Sequence, residues 1–429
     1  MKMETAVLAS KLSAFRAHLK PTLISVPEAN LLTALTYLDQ HDFPTTRQEA
    51  WKYTRVGKIA SIQAATSTTT DVKSIDLPII DENAFTIHLV DGHVCWTSEK
   101  STLPKGVSIK TLANCTADEY TELYESWTSF DQQDVFGSIN TAYLQDGIVL
   151  QIAADTVIDR PIQLIHLNTI QHQVTNVRHF IHAEKGSKAA VIIGTLTANE
   201  GISFTNSLLY VDIAENATLT IDKIQSESSG NCSVISEWVR QSTGSTFTIN
   251  TVTLNGTLVR NNLTIFVDGT QCTTNMNGAY VLKEQQHVDN HTVVDHRQPH
   301  CVSNELYKGV MDEQSTAVFN GKVYVREHAQ KINAFQSNGN VLLSDSATIN
   351  SKPELEIYAD DVKCSHGSTT GQLDEEAVFY LRARGLSEAS ARQLLVSAFI
   401  GDVLEKIENN AVNEFITKQL TARFGWQHV

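Results

Sequence analysis

The sequence predicts a mainly β protein, a long β-rich body held between two helical segments. Three observations carry this. Short runs rich in Val, Ile and Thr alternate in polarity from Phe85 to Gly371, as in Leu219-Thr-Ile-Asp222, Phe247-Thr-Ile-Asn-Thr-Val-Thr-Leu254 and Leu355-Glu-Ile-Tyr358. Gly, Asn and Asp punctuate these runs, and few helical stretches separate them. Apolar residues recur at helical spacing before the body and again after it. A β region this long closes as sandwiches, as a propeller or as a solenoid of stacked coils. No strict hexapeptide, kelch or WD period is present, which argues against a propeller and against a left-handed hexapeptide helix. A right-handed parallel β-helix tolerates coils of variable length and stays compatible with the pattern.

The first segment, about residues 4 to 60, reads as helical. Val7, Leu8, Leu12, Phe15 and Leu19 share a face, and Pro21 ends the pattern. A second helix starts near Pro27, with Leu31, Leu32, Leu35 and Leu38 as its apolar side. Ser61 to Lys73 is rich in Ser and Thr and reads as a linker. The expected division is 1–75 for the helical region and linker, 76–371 for the β body and 372–429 for a helical C-terminal domain. In the last, Asp374 is placed to cap one helix, with Leu373 and Val378 as a hydrophobic staple and Gly385 as its terminator. Ser387 caps a second helix carrying Leu394, Leu395 and Phe399. A third is expected to carry Val403, Leu404 and Ile407 and to continue through Phe415, Ile416 and Leu420.

Composition narrows the function classes. The 429 residues are 41% hydrophobic and 19% charged, a folded composition with enough apolar material for a large core. The net charge of −15, from 48 acidic and 33 basic residues with no basic run, disfavours nucleic-acid partners, which need phosphate neutralisation. No apolar stretch is long enough to cross a bilayer, and the amino terminus reads as an amphipathic helix rather than an export signal. The six cysteines are scattered without a CxxC pair, so reduced thiols and a cytoplasmic setting are expected. GxxxxGK[ST], GxSxG, HExxH and GxGxxG are all missing, which removes the most recognisable nucleotide and hydrolase readings.

Two stretches bear metal-ligating residue types. His287, His291, His296 and His300 lie among Val and Thr residues that favour a strand, and four residues along a strand span roughly 13 Å, too far for two ligands of one ion. These histidines therefore read as structural. The second stretch is Lys352-Pro-Glu-Leu-Glu-Ile-Tyr-Ala-Asp-Asp-Val-Lys-Cys-Ser-His-Gly367. On a strand its Cys364 and His366 face the same side, and thiolate and imidazole both suit iron. On the residues alone they read as a small buried hydrophobe and a hydrogen-bonded turn residue, because two ligands cannot complete the four of a cluster. A cluster here needs a second chain.

That stretch and its continuation Gly371-Gln-Leu-Asp-Glu-Glu-Ala-Val-Phe-Tyr-Leu-Arg-Ala-Arg-Gly385 closely resemble the carboxy-terminal motif of the SufD family. Gln286-His-Val-Asp-Asn-His-Thr292, Ser303-Asn-Glu-Leu-Tyr-Lys-Gly309 and Leu258-Val-Arg-Asn-Asn-Leu263 resemble its β-body motifs, and Glu49-Ala-Trp-Lys-Tyr-Thr54 its amino-terminal one. The resemblance runs in order from about residue 49 to about residue 407, with local departures at Gly137-Ser-Ile-Asn140 and Ser337-Asn-Gly-Asn340. It implies a right-handed parallel β-helix between helical domains. It also implies a non-catalytic scaffold subunit for iron–sulfur cluster assembly, working with SufB, a paralogue met through the β-helix, and SufC, an ATPase docked on the C-terminal helices. Self-association is implied only for the isolated chain. The family's histidine near the SufB–SufD junction, implicated in building the nascent cluster, falls at His366, with Cys364 beside it in the motif and without an assigned role. The implied cargo is a transient iron–sulfur cluster shared with SufB, with no cofactor held tightly by this chain alone. Trp51 and Tyr53 are expected to seal a helical domain.

Two other classes compete. A carbohydrate-active β-helix enzyme, of the polysaccharide lyase type, needs clustered carboxylates with a basic residue or calcium, and no such cluster is evident in the β body. An iron or sulfur carrier acting alone needs more paired ligands than the sequence offers.

Overall fold

The computed structural model describes residues 10–22, 24–65, 75–96, 103–127, 134–197 and 201–425. Val7, Leu8 and most of the expected linker lie outside the described residues. Two sheets form the body. The first contains β1 (Phe85–Val90), β2 (His93–Trp96), β5 (Ile162–Asn168), β7 (Lys188–Thr197), β9 (Thr218–Ser226), β11 (Thr246–Asn255), β13 (Thr273–Leu282), β15 (Val302–Met311), β17 (Asn333–Leu342) and β19 (Lys363–Gly371). The second contains β3 (Val107–Thr111), β4 (Ile148–Ile152), β6 (Val174–Ala183), β8 (Ser203–Ile213), β10 (Asn231–Gln241), β12 (Leu258–Val267), β14 (His287–His296), β16 (Thr316–Val325) and β18 (Thr348–Ile357). Odd and even strands alternate between the sheets, and from β5 onward each strand pairs in parallel with the one two places along the chain. This is a parallel β-solenoid of about eight turns.

Alternation within each strand fills the interior. In β9 and β11, Leu219, Ile221, Phe247 and Ile249 point inward and stack in register on the neighbouring coils. The stack closes tightly in one place. Gly278 of β13 is paired with Tyr307 of β15, and Tyr280 with Gly309, so each ring lies over a position without a side chain. A Cβ at either glycine would overlap the tyrosine ring facing it.

The amino-terminal helices are shorter than expected. α1 (Lys11–Arg16) buries Leu12 and Phe15, and α2 (Glu28–Gln40) starts after Pro27. The face of α2 that packs inward is Leu31, Ala34, Leu35 and Leu38. Leu32 is 56% exposed, since it falls outside the i, i+3, i+4, i+7 series that the other four obey. Residues 41–56 form an extended strap with one 3₁₀ turn, Glu49–Trp51, before α3 (Gly57–Ala60). Pro44 disfavours helix at Phe43, and the strap's polar groups find partners on the solenoid instead. Two more helices, α4 (Ala117–Glu125) and α5 (Val135–Ala142), fall inside the β-rich span. The side chain of Asn140 on α5 donates to the carbonyls of Val177 (2.9 Å) and Asn206 (3.0 Å), anchoring that helix on β6 and β8.

At the other end, Asp374 caps α6 (Glu375–Ala383) by accepting from the amides of Glu376 and Ala377. Ser387 caps α7 (Glu388–Leu404). Val403 and Leu404 end α7 rather than opening a third helix. Asn409 captures the next free amides and starts α8 (Asn410–Phe424) after a break. Val396, Ile400, Val403, Val412, Ile416 and Leu420 pack on the outer face of the first sheet, against Ile192, Ile224, Val252, Ala279 and Val310. Among the described residues no helix is long and apolar enough to cross a membrane.

The Gly–Tyr pairing gives a direct check on the stacking. Gly278→Ala forces the Tyr307 ring out of its place and should cost about 1–3 kcal/mol, read as a lowered urea midpoint at unchanged slope. An unshifted midpoint would show that the coils are not packed at this register.

Candidate functional site at the open end of the solenoid

The stack has an uncovered end. Among the described residues β18 pairs as a strand only with β16, and β19 only with β17. Their residues are exposed or half-buried, whereas the equivalent positions of earlier coils are largely buried. Phe335, Ile357 and Tyr358 add 46%, 40% and 58% exposed apolar side chains at the same end. Long unpaired strand edges template further strand pairing and are normally shielded.

Cys364 and His366 both lie on β19. Their register partners on β17 are Ala334 and Gln336, which point inward and are almost fully buried. Cys364 and His366 therefore face the interior side of the last coil, where no described residue stacks above them. Cys364 packs at the margin of the core, and burial pushes its thiol pKa up. His366 is exposed. They are two donors on one face. Among the described residues no group of three or more His, Cys, Asp or Glu is arranged to hold a metal ion.

The other histidines are dispersed by the same geometry. His296 points into the interior, is fully buried and lies 2.9 Å from Ser303 Oγ, with its pKa lowered to about 4 by desolvation. His300 sits in a corner with a left-handed backbone (φ 63°). His287 and His291 share the outer face of β14 with Asp289.

That outer face receives the strap. His287 Nε2 donates to Thr54 Oγ1 (2.8 Å), whose hydroxyl donates to the Asp289 carboxylate. His291 Nε2 lies 3.0 Å from Asp289 Oδ1, and Arg260 pairs with Oδ2. Arg260 also donates to the Ala50 carbonyl (2.8 Å) and to Asn262 (2.7 Å), and stacks over the Trp51 ring at 4.4 Å. Lys352 reaches Glu49 at 3.1 Å. Burial alone would raise the pKa of Asp289, but Arg260, His291 and Thr54 together hold it below the usual carboxylate range. Desolvation lowers the pKa of His287 and His291. Stretches scattered over some 300 residues of sequence thus converge on one ionic cluster. Trp51 seals the strap against Phe136 (5.3 Å), as an aromatic seal should, while Tyr53 is left 44% exposed.

Beneath the open end the interior is polar. Glu305 accepts from Thr292 Oγ1 (2.5 Å) and from Gln336 Nε2 (2.6 Å), and its pKa is raised to about 7 by desolvation. Asn338 donates to the Tyr280 hydroxyl (3.1 Å), which donates to Asn340 (2.7 Å). Glu305 and Gln336 were not singled out from the sequence. Their signal was a charged or amide residue inside an alternating run, where an inward position calls for an apolar one.

Residues 166–399 match the sequence model described as "SUF system FeS cluster assembly, SufBD core domain", and residues 13–164 match the SufBD protein N-terminal region. The chain belongs to the SufBD family. An iron–sulfur cluster assembly SufBD family protein of Synechocystis is 32% identical over 85% of this chain and 84% of its own length. The chloroplastic protein ABCI7 of Arabidopsis thaliana is 31% identical over 87% and 81%. The iron–sulfur cluster assembly protein SufD of Escherichia coli is 27% identical over 89% and 88%. SufBD membership places this chain in iron–sulfur cluster assembly and leaves the carbohydrate-active reading without support. The strap cluster joins the two regions that the SufBD sequence models separate: Glu49, Thr54 and Trp51 lie in the first, Arg260, Asp289 and Lys352 in the second.

Asp289→Ala should expose the role of that cluster. It leaves Arg260 buried without its carboxylate, at a cost of about 3–5 kcal/mol. Trypsin should then cleave faster after the exposed Lys52 and Arg55. Unchanged stability and digestion would mean that the strap is held by its apolar contacts alone.

Proposed function

We propose that this chain is a SufD-type, non-catalytic scaffold subunit whose open coil end meets a SufB partner. The supporting observation is the pair of unpaired edge strands, β18 and β19, with His366 presented on the interior side of the last coil. A partner solenoid adding its own strands there satisfies the free backbone groups and covers Phe335, Ile357 and Tyr358. His366 then becomes one ligand of a cluster that is cargo, completed by ligands of the partner. Imidazole beside thiolates binds iron less tightly than four thiolates, which favours release of the cluster to an acceptor. Cys364 supplies a second donor on the same face, and its raised pKa keeps it a thiol until a metal or cation approaches.

The C-terminal helices are the proposed platform for SufC. α7 and α8 are fastened to the solenoid wall, while Phe379 and Tyr380 on α6 are 72% and 58% exposed and Leu394 on α7 is 41% exposed. Apolar side chains displayed on helices bound to a rigid wall suit a partner that moves during ATP turnover, because displacement passes directly into the stacked coils. The lack of a phosphate-binding loop in this chain fits the division of labour. The proposed setting is the cytoplasm.

The test is His366→Ala in the assembled complex. His366 is exposed, so the variant should fold and assemble with its partners as the parent does. Iron and acid-labile sulfide recovered with the complex should fall. Normal cluster maturation would remove His366 from the function.

A further inference from the structure

One column of inward side chains changes character as it nears the open end. In the first sheet Val191, Ile221, Ile249 and Met276 occupy successive register positions. The next three positions in the same column are Glu305, Gln336 and His366. Burying a carboxyl and an amide in place of two aliphatic groups costs stability unless each polar atom is satisfied. Three of the four side-chain groups are. Both Glu305 oxygens accept, from Thr292 and from Gln336, and the Gln336 Nε2 is thereby committed downward to Glu305.

The Gln336 Oε1 is the exception. It is buried and has no hydrogen-bond partner among the described residues, in a side chain only 4% exposed. The residue in register immediately above it is His366. Adjacent parallel strands lie about 4.8 Å apart, so a ring N–H of His366 reaches Oε1 after rotation of its side chain alone. A buried acceptor left without a donor is destabilising, which supplies the drive for that rotation.

We infer that Gln336, with its amide orientation fixed by Glu305, is a positioning residue for His366. Its Oε1 accepts one ring N–H and so selects a single neutral tautomer, leaving the other nitrogen as a lone-pair donor at the solenoid's end. A carbonyl oxygen behind a ligating imidazole is the usual device for setting ring orientation and tautomer. This inference rests on His366 being the donor in the proposed function, but its test does not.

The test is the tautomeric state of His366 in the full chain, read from long-range nitrogen–proton correlations with histidine-labelled protein near pH 7.5. The signal is assigned by its loss in His366→Gln, since the chain holds 15 histidines. The parent should show His366 in one neutral tautomer. Gln336→Met keeps the volume and removes the acceptor, so it should give the fast-exchanging mixture of a free imidazole. Gln336→Glu keeps an acceptor oxygen facing His366, sharing a proton with Glu305, and should restore the single tautomer. Cluster yield in the assembled complex should fall about 10-fold in Gln336→Met, the scale usual for loss of a ligand's hydrogen-bond partner. A mixed tautomer in the parent, or a single one that survives Gln336→Met, overturns the positioning role whatever the cluster yield. Normal yield in His366→Ala instead overturns the function and leaves the tautomer result standing.

Discussion

Coil-on-coil stacking in register is the constraint on which this molecule depends. Each coil is covered by the next, so every inward side chain except those of the terminal coil has a neighbour about 4.8 Å along the axis. This explains why the interior tolerates full burial of Phe247 and Met276 beside bulky Tyr280 and Tyr307, with glycine placed opposite each ring. It also explains why the final coil differs from the rest. β18 and β19 are 10 and 9 residues long, close to their predecessors, but have no successor among the described residues, and their inward side chains become surface. A site at this end is made by the ending of the stack itself.

The strap and the C-terminal helices work on the outside of the same stack. The strap spans β12 and β14 through Arg260 and Asp289 and touches β18 through Lys352. The buried Arg260–Asp289 pair adds little net stability over an apolar contact, because desolvation of both charges offsets their attraction. Its consequence is specificity: two charges, two imidazoles and one hydroxyl are satisfied by only one seating of the strap. α7 and α8 instead use an aliphatic face, which is strong and non-directional. The strap is thus oriented by polar matching beside the apolar cluster that seats the amino-terminal helices, and α7 and α8 are located by apolar area.

Much of this was legible in the sequence and some was not, for physical reasons. The change to β at Phe85 and the return to helix after Gly371 follow from residue type and spacing. Asp374 and Ser387 announce their helices because capping is a local interaction. Leu32 was misplaced on α2 because a Leu at i+1 looks as apolar as one at i+3 until the face is known. The break at Asn409 was missed because apolar residues on both sides keep helical spacing across it. The strap could not be read, since its structure comes from partners more than 200 residues away. Glu305 and Gln336 look like ordinary polar punctuation in a β run. Only the register shows that they lie beneath His366.

The claim that a second protein covers the open end is tested most directly by hydrogen–deuterium exchange on the chain alone and on the chain within the assembly recovered from a native cell lysate. A capped end predicts that uptake over Thr348–Ile357 and Lys363–Gly371 is fast in the isolated chain and falls sharply in the complex, while Lys188–Thr197 and Thr218–Ser226 stay protected in both. Equal uptake over the last two strands in the two states would contradict it.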